Sequence, residues 1–180
     1  DKDGKVSADL SALVENWVGH DKPITILDVS SAPSEILQTL VGTLLRITYD
    51  MLFWGQELEI GGKQQPLLIV VDEAHLFVPE GGKSPAHRIL STIAKEGRKY
   101  GVGIMLVSQR PSELDSTVLS QCGSFISLRI TNETDRGKVA SAVPDDLGDL
   151  IGLLPSLRTG EAIFLGEVLP IPSRVRVNLA

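Results

Sequence analysis

The chain has 180 residues, of which 42% are hydrophobic, and a formal charge of -6. This is enough apolar material for one sizeable core, and the acidic balance excludes a protein that coats nucleic acid over its whole surface. The single cysteine, Cys122, excludes an internal disulfide and a cysteine-built metal site, fits a reducing cytoplasmic compartment, and is expected to be a small buried packing residue. No uninterrupted apolar run of about 18 residues occurs, so no membrane span is expected, and the opening DKDGKVSADL lacks the layout of a signal peptide. The chain begins with Asp1 rather than Met, which suggests a fragment of something longer.

In chain order, ITILDV (24–29) reads as a first strand, and Pro33, Ser34 and Glu35 open a helix predicted over Ser34 to Trp54. A polar loop, 56–66, leads into a second strand, LLIVVD (67–72). Pro85 to Lys99 is the next predicted helix, closed by Gly101. It is followed by the strand GIMLVS (103–108), a helix from Ser112 to Leu119, the strand SFISLR (124–129) and a helix from Glu133 to Ala142. These near-continuous apolar strands, alternating with helices, indicate an α/β domain with a mainly parallel sheet covered by helices on both faces. Two β-rich runs, EAIFLG and RVRVNL, read as an antiparallel extension over 161–180 at one sheet edge. The whole of 1–180 reads as one partial domain.

Charge is unevenly spread. Between Lys83 and Arg110 the chain carries +5, leaving -11 to the rest. On a continuous helix Arg88, Lys95 and Lys99 share a stripe to within roughly 20°, which is either a solvated face or a surface for phosphates or a neighbouring subunit.

The chemistry concentrates at strand ends. Ligands of open parallel sheets bind at the carboxyl ends of the strands, where LLIVVD delivers Asp72 and Glu73. Asp72 suits Mg²⁺, directly or through its water shell, and Glu73 suits orientation of an attacking water. A strand ending in a plain polar turn is the simpler alternative. GIMLVS delivers Ser108, Gln109 and Arg110 to the same end, where Ser108 or Gln109 suits a γ-phosphate or water contact and Arg110 a phosphate or an interface. Arg98 and Lys99 close the preceding helix, where cations are also favoured by the helix dipole. The phrase Gly82-Lys83-Ser84 echoes G-x-x-x-x-G-K-[ST], but Phe77 stands where the first Gly is required and Pro79 interrupts the loop. It does not follow directly from a strand, so it is read as an accidental echo rather than a phosphate loop.

Taken in order, ITILDVSSAPSEI, LLIVVDEAHLFVP, IAKEGRKYGVGIMLVSQRPSELDSTVLSQCGSFISLRITNETDRGKV and TGEAIFLG resemble the C-terminal half of the catalytic domain of HerA-type ATPases, in the HerA–FtsK group of hexameric DNA-translocating motors. The resemblance implies a RecA-like P-loop NTPase core in which 67–72 is the Walker B strand and 103–108 the sensor strand. Glu73 would be the catalytic glutamate, Gln109 the sensor-type polar residue and Arg98 a finger reaching a neighbouring subunit's ATP. It implies ATP and Mg²⁺ as cofactors. It also implies double-stranded DNA, a homo-oligomeric, hexameric ring and a partner nuclease or defence effector as partners, in DNA-end processing or anti-phage defence. The Walker A loop and its strand are missing from these residues. In RecA-like sheets that strand lies between those that GIMLVS and SFISLR resemble, so two strand edges are expected to be left unpaired or forced together. Two other readings remain open. One is a DEAH-box helicase lobe, suggested by Asp72–His75, although SQRP stands where that class needs Ser-Ala-Thr. The other is a non-catalytic interaction domain that retains the fold.

Overall fold

The computed structural model describes residues 12, 17–18, 22–57, 61–143, 148–167 and 169–178. The long helix α1 (Ser34–Trp54) lies against α2 (Pro85–Glu96), and strand β1 (Leu67–Val71) pairs with β2 (Val102–Leu106). That pairing is parallel, with Leu67 opposite Val102 and Val71 opposite Leu106. Helix α3 (Ser116–Leu119) precedes β3 (Ser124–Ser127), and α4 (Glu133–Ala142) and α5 (Gly148–Ile151) lead to β4 (Glu161–Gly166) and β5 (Ser173–Arg176).

Three core clusters hold these layers together. Val71, Ala74, Phe77, Val78, Leu90 and Val118 pack beneath the carboxyl end of β1, with Leu37, Val41 and Leu45 of α1 against them. At the opposite end of the strands Tyr49, Leu52, Ile89, Ile93 and Val102 pack with Phe53 and Tyr100. The third cluster, around Val139, Leu154, Leu157, Ile163 and Leu165, sits under the antiparallel sheet, and Phe125 touches both it and the first. Helices α1 and α2 approach closely because position 42 is glycine: a Cβ there would lie 2.6 Å from the Ala86 backbone nitrogen. Although it contains no uninterrupted apolar run of about 18 residues, α1 spans 21 residues with a stretch of mean hydropathy 1.2, and by length and composition it is long and apolar enough to cross a membrane. Here Leu37, Val41 and Leu45 pack against the first cluster and Leu45, Tyr49, Leu52 and Phe53 fall in or against the second, while Ile36, Leu40 and Trp54 are exposed.

Several elements depart from expectation. ITILDV forms no strand and belongs to no ladder among the described residues, and Ile24 and Ile26 are 75% and 86% exposed. Its pattern suits a strand, yet no neighbouring strand supplies the hydrogen bonds that would make it one. SFISLR is not part of the parallel sheet: β3 stops at Ser127 and pairs antiparallel with β4, Ser124 opposite Gly166. β5 pairs antiparallel with β4, so the C-terminal extension joins β3 in a separate three-stranded sheet of order β3-β4-β5. Residues 168 and 179–180 of that extension lie outside the described residues. The edges of β2 and β3 are therefore unpaired among the described strands, rather than forced together. Beside them Met105, Val107, Ile126 and Leu128 are exposed.

The predicted helix over Pro85 to Lys99 ends at Glu96 and tightens into a 3₁₀ turn, Gly97–Tyr100. A 3₁₀ turn advances about 120° per residue instead of 100°, so Lys99 leaves the stripe of Arg88 and Lys95. The helix expected over Ser112 to Leu119 is divided. Pro111–Glu113 form a 3₁₀ turn, and Asp115 caps α3 by accepting from the Thr117 and Val118 N–H groups at 2.9 and 3.0 Å. An aspartate at an N-cap marks a helix start, which the apolar spacing alone does not reveal. Cys122 is half-buried rather than fully buried, and its burial pushes the thiol pKa up.

Candidate functional site

The carboxyl ends of β1 and β2 lie side by side because the parallel register puts Val71 opposite Leu106. The turn after β1 is anchored to the continuation of β2: the Val107 N–H donates to the Val71 carbonyl at 2.9 Å, and the Ala74 N–H to the Val107 carbonyl at 2.8 Å. Ala74 is fully buried, so the chain must turn sharply between Asp72 and Ala74. Glu73 takes up that turn with φ 46° and ψ 45°, the only positive φ of a non-glycine residue among those described. A left-handed backbone at such a residue costs on the order of 1–3 kcal/mol and persists only where the surroundings impose it.

The polar side chains meet at this turn. Gln109 Nε2 donates to Glu73 Oε1 at 2.9 Å, and His75 Nδ1 lies 3.4 Å from Glu73 Oε2. The same Nδ1 is 3.3 Å from Ser108 Oγ, which accepts from the Arg110 N–H at 3.0 Å. The Glu73 N–H donates to Asp72 Oδ1 at 2.9 Å. Asp72 and Gln109 are exposed, whereas the His75 side chain is only 12% exposed. Asp72, Glu73, Ser108 and Gln109 are thus brought together as the strand ends require. Sequence reasoning gives His75 no role, because nothing in the spacing shows that its ring reaches Ser108, 33 residues later.

Other expected site residues lie elsewhere. Arg110 points to Glu113 at 2.9 Å and is 65% exposed. Arg98 lines an open cleft with Pro66, Leu67, Leu68 and Gly103, at the amino ends of the strands. One five-residue strand, or roughly 16 Å, separates that end from Glu73. Arg98 therefore cannot serve the Glu73 of its own chain. Arg88, Lys95 and Lys99 are exposed.

The GGKS phrase has a structural role. Ser84 caps α2, its Oγ accepting from the His87 N–H at 3.1 Å and donating to Gln38 Oε1 at 2.9 Å, with Pro85 in the first helical turn. Residues 77–84 are tied down along their length: Gln38 donates to the Leu76 carbonyl, Pro79 bridges Leu114, and Glu80 accepts from the Ser116 N–H and hydroxyl at 3.1 and 2.7 Å and from Lys138. Lys138 and Ser116 hold the Glu80 carboxyl down to about 2.

No group of three or more His, Cys, Asp or Glu suited to a metal ion occurs among the described residues. Magnesium rarely uses such a cage; one or two carboxylates with water and phosphates are usual. The exposed Asp72, with one oxygen engaged by its own turn, fits that donor set.

The parallel pair, the flanking helices and the antiparallel sheet place the chain in the α/β class, with a fold shared with solved NTPase structures. The genome packaging NTPase B204 of Sulfolobus turreted icosahedral virus 2, in complex with AMPPCP, matches with a TM-score of 0.62 and 14% identity over 79% of this chain and 63% of that one. VirB4 of Thermoanaerobacter pseudethanolicus matches with a TM-score of 0.60 and 18% identity over 85% of this chain and 40% of that one. At these identities the likeness is one of fold.

The profile of the family described as Helicase HerA-like C-terminal matches residues 13–170, and the chain belongs to that family. The DNA double-strand break repair helicase HerA of Pyrococcus furiosus is 34% identical over 91% of this chain and 34% of its own length. Probable helicase MJECL08 of Methanocaldococcus jannaschii is 40% identical over 86% of this chain and 30% of its own. The chain spans about a third of the length of these curated relatives.

Proposed function

We propose that these residues form the metal- and water-handling half of an ATP hydrolysis site in a HerA-type DNA translocase. The observation that carries this reading is the 2.9 Å hydrogen bond from Gln109 Nε2 to Glu73 Oε1, beside Asp72, at the carboxyl ends of two paired parallel strands. In this reading Asp72 holds Mg²⁺ through water, and the ion, when bound, offsets phosphate charge. Glu73 accepts a proton from a water whose oxygen attacks the γ-phosphorus as the bond to the ADP oxygen breaks, giving ADP and inorganic phosphate. Gln109 and Ser108 orient that water and the γ-phosphate. Arg110 reaches phosphate only after leaving Glu113.

The residues that grip the phosphates would come from a preceding segment of a longer domain, its strand entering between β2 and β3. The unpaired edges of those strands support this placement. The position of Arg98, at the end of the sheet opposite its own Glu73, favours action on the ATP of a neighbouring subunit in a homo-oligomeric, hexameric ring. Double-stranded DNA is the track, with Arg88, Lys95 and Lys99 available for phosphates or the interface, and a nuclease or defence effector is the partner, in the cytoplasm. The name of the Pyrococcus relative supports a role in DNA-break repair.

The test uses the longest natural chain containing these 180 residues. Glu73→Gln is expected to lower DNA-stimulated ATP hydrolysis by roughly a hundredfold or more, the range for loss of a general base. Equal rates would remove Glu73 from the chemistry. Arg98→Ala mixed with a phosphate-loop variant should recover part of the activity in mixed rings. No recovery at any ratio would exclude action in trans.

A further inference from the structure

The carboxylate of Glu73 is approached by a nitrogen at each oxygen: Gln109 Nε2 at Oε1, 2.9 Å away, and His75 Nδ1 at Oε2, 3.4 Å away. The two side chains differ in how firmly they are held. Gln109 is exposed at the end of β2, free to turn toward a γ-phosphate or a water. The His75 ring belongs to the 3₁₀ turn Ala74–Leu76, its side chain 12% exposed, with Ser108 Oγ 3.3 Å from the same nitrogen. The two neighbours make different demands on the tautomer. A protonated Nδ1 donates to Glu73. An unprotonated Nδ1 accepts the Ser108 hydroxyl and turns a lone pair toward the carboxylate, which repels it. Ser108 Oγ already accepts the Arg110 N–H, and an anionic carboxylate is the stronger acceptor, so the proton belongs on Nδ1.

We infer that His75 is a positioning residue for Glu73, its Nδ1–H fixing the carboxylate through Oε2 while burial keeps the ring in place. Each carboxylate oxygen has two lone pairs, so the contacts from His75 and Gln109 leave one on each oxygen for the attacking water. A separation of 3.4 Å is long for a hydrogen bond, and bonds of this kind commonly tighten when substrate is bound. The need for such a hold follows from the backbone: Glu73 sits at φ 46°, a conformation that does not by itself aim a long side chain.

This inference rests on the assignment of Glu73 under the proposed function, and four variants of the longest natural chain separate the two. His75→Ala is expected to lower kcat for ATP on the order of ten- to a hundredfold, the cost of a misplaced reacting group, with KM for ATP unchanged. His75→Asn, whose amide nitrogen falls near Nδ1, should recover most of the rate, and His75→Gln, whose amide falls near Nε2, should not. Glu73→Gln should be inactive. A wild-type rate for His75→Ala beside an inactive Glu73→Gln overturns this inference alone, and a wild-type rate for Glu73→Gln overturns both. Should His75→Ala fail to fold, the polar pair decides: Asn fast and Gln slow supports the inference, and equal rates overturn it.

Discussion

Lys138 on α4 donates to Glu80 in the loop after the Glu73 turn, across 58 residues of sequence, and both meet the Ser116 hydroxyl at the start of α3. Lys138 first, and Ser116 second, hold the Glu80 carboxyl at about 2 against an ordinary 4.5. A carboxyl whose pKa is depressed on folding contributes stability that is fully present above 4.5 and lost as pH falls toward 2. Lys138→Met should therefore lower the urea midpoint near neutral pH. The gap from wild type should close between 4.5 and 2, and a gap of constant size would mean that Glu80 and Lys138 are not coupled.

Glu73 combines a proposed chemical role with a strained backbone, so function and stability should pull apart there. Glu73→Gly removes the left-handed penalty and should leave stability unchanged or raise it by up to roughly 1 kcal/mol, while abolishing hydrolysis. For a domain of this size that gain corresponds to about 2–4 °C in Tm. A marked fall in Tm would show that the Glu73 side chain stabilises the turn.

Gln109 is exposed and bonded to a side chain, not to the core. Its replacement by alanine should change Tm by no more than about 0.5 kcal/mol equivalent, as for most surface substitutions. ATP turnover in the longest natural chain should nevertheless fall by about tenfold or more, as expected when a water-orienting group is lost. Turnover within a factor of about two of wild type would remove Gln109 from the site, since a positioned group is worth more than that.

Gly101 ends the 3₁₀ turn with φ 72°, and a Cβ there would lie 1.7 Å from the Gly62 carbonyl oxygen. Both obstacles are backbone, so neither can rotate away. Gly101→Ala should destabilise the fold by about 2 kcal/mol or more, read as a lower denaturant midpoint with an unchanged slope. Because Arg98 and the amino ends of β1 and β2 border this contact, the variant should also disturb the cleft around Arg98.

Some of this protein was legible residue by residue. LLIVV and GIMLV announced paired strands because a strand covered by helices must be apolar at nearly every position, and the helices beginning at Ser34 and Glu133 match to the residue. The same logic misread ITILDV and SFISLR: an apolar run states that a segment can enter a sheet, while its partner and direction depend on which strands are there to meet it. SFISLR found EAIFLG, and ITILDV found no ladder among the described residues. The interruption at Asp115 was missed because a single capping side chain outweighs the apolar period around it.

By itself, the order of residues determined the α/β class, the two strand ends that bear Asp72, Glu73, Ser108 and Gln109, and the exclusion of GGKS as a phosphate loop. The tertiary structure decided the rest. It joined Gln109 to Glu73 across 36 residues and brought His75 against Ser108 across 33. It also set Arg98 at the far end of the sheet, at the opposite ends of the strands from its own acids. The reason is physical: side-chain type and local period are written in neighbouring residues, whereas a contact between strand ends exists only once a parallel register has aligned two segments distant in the chain.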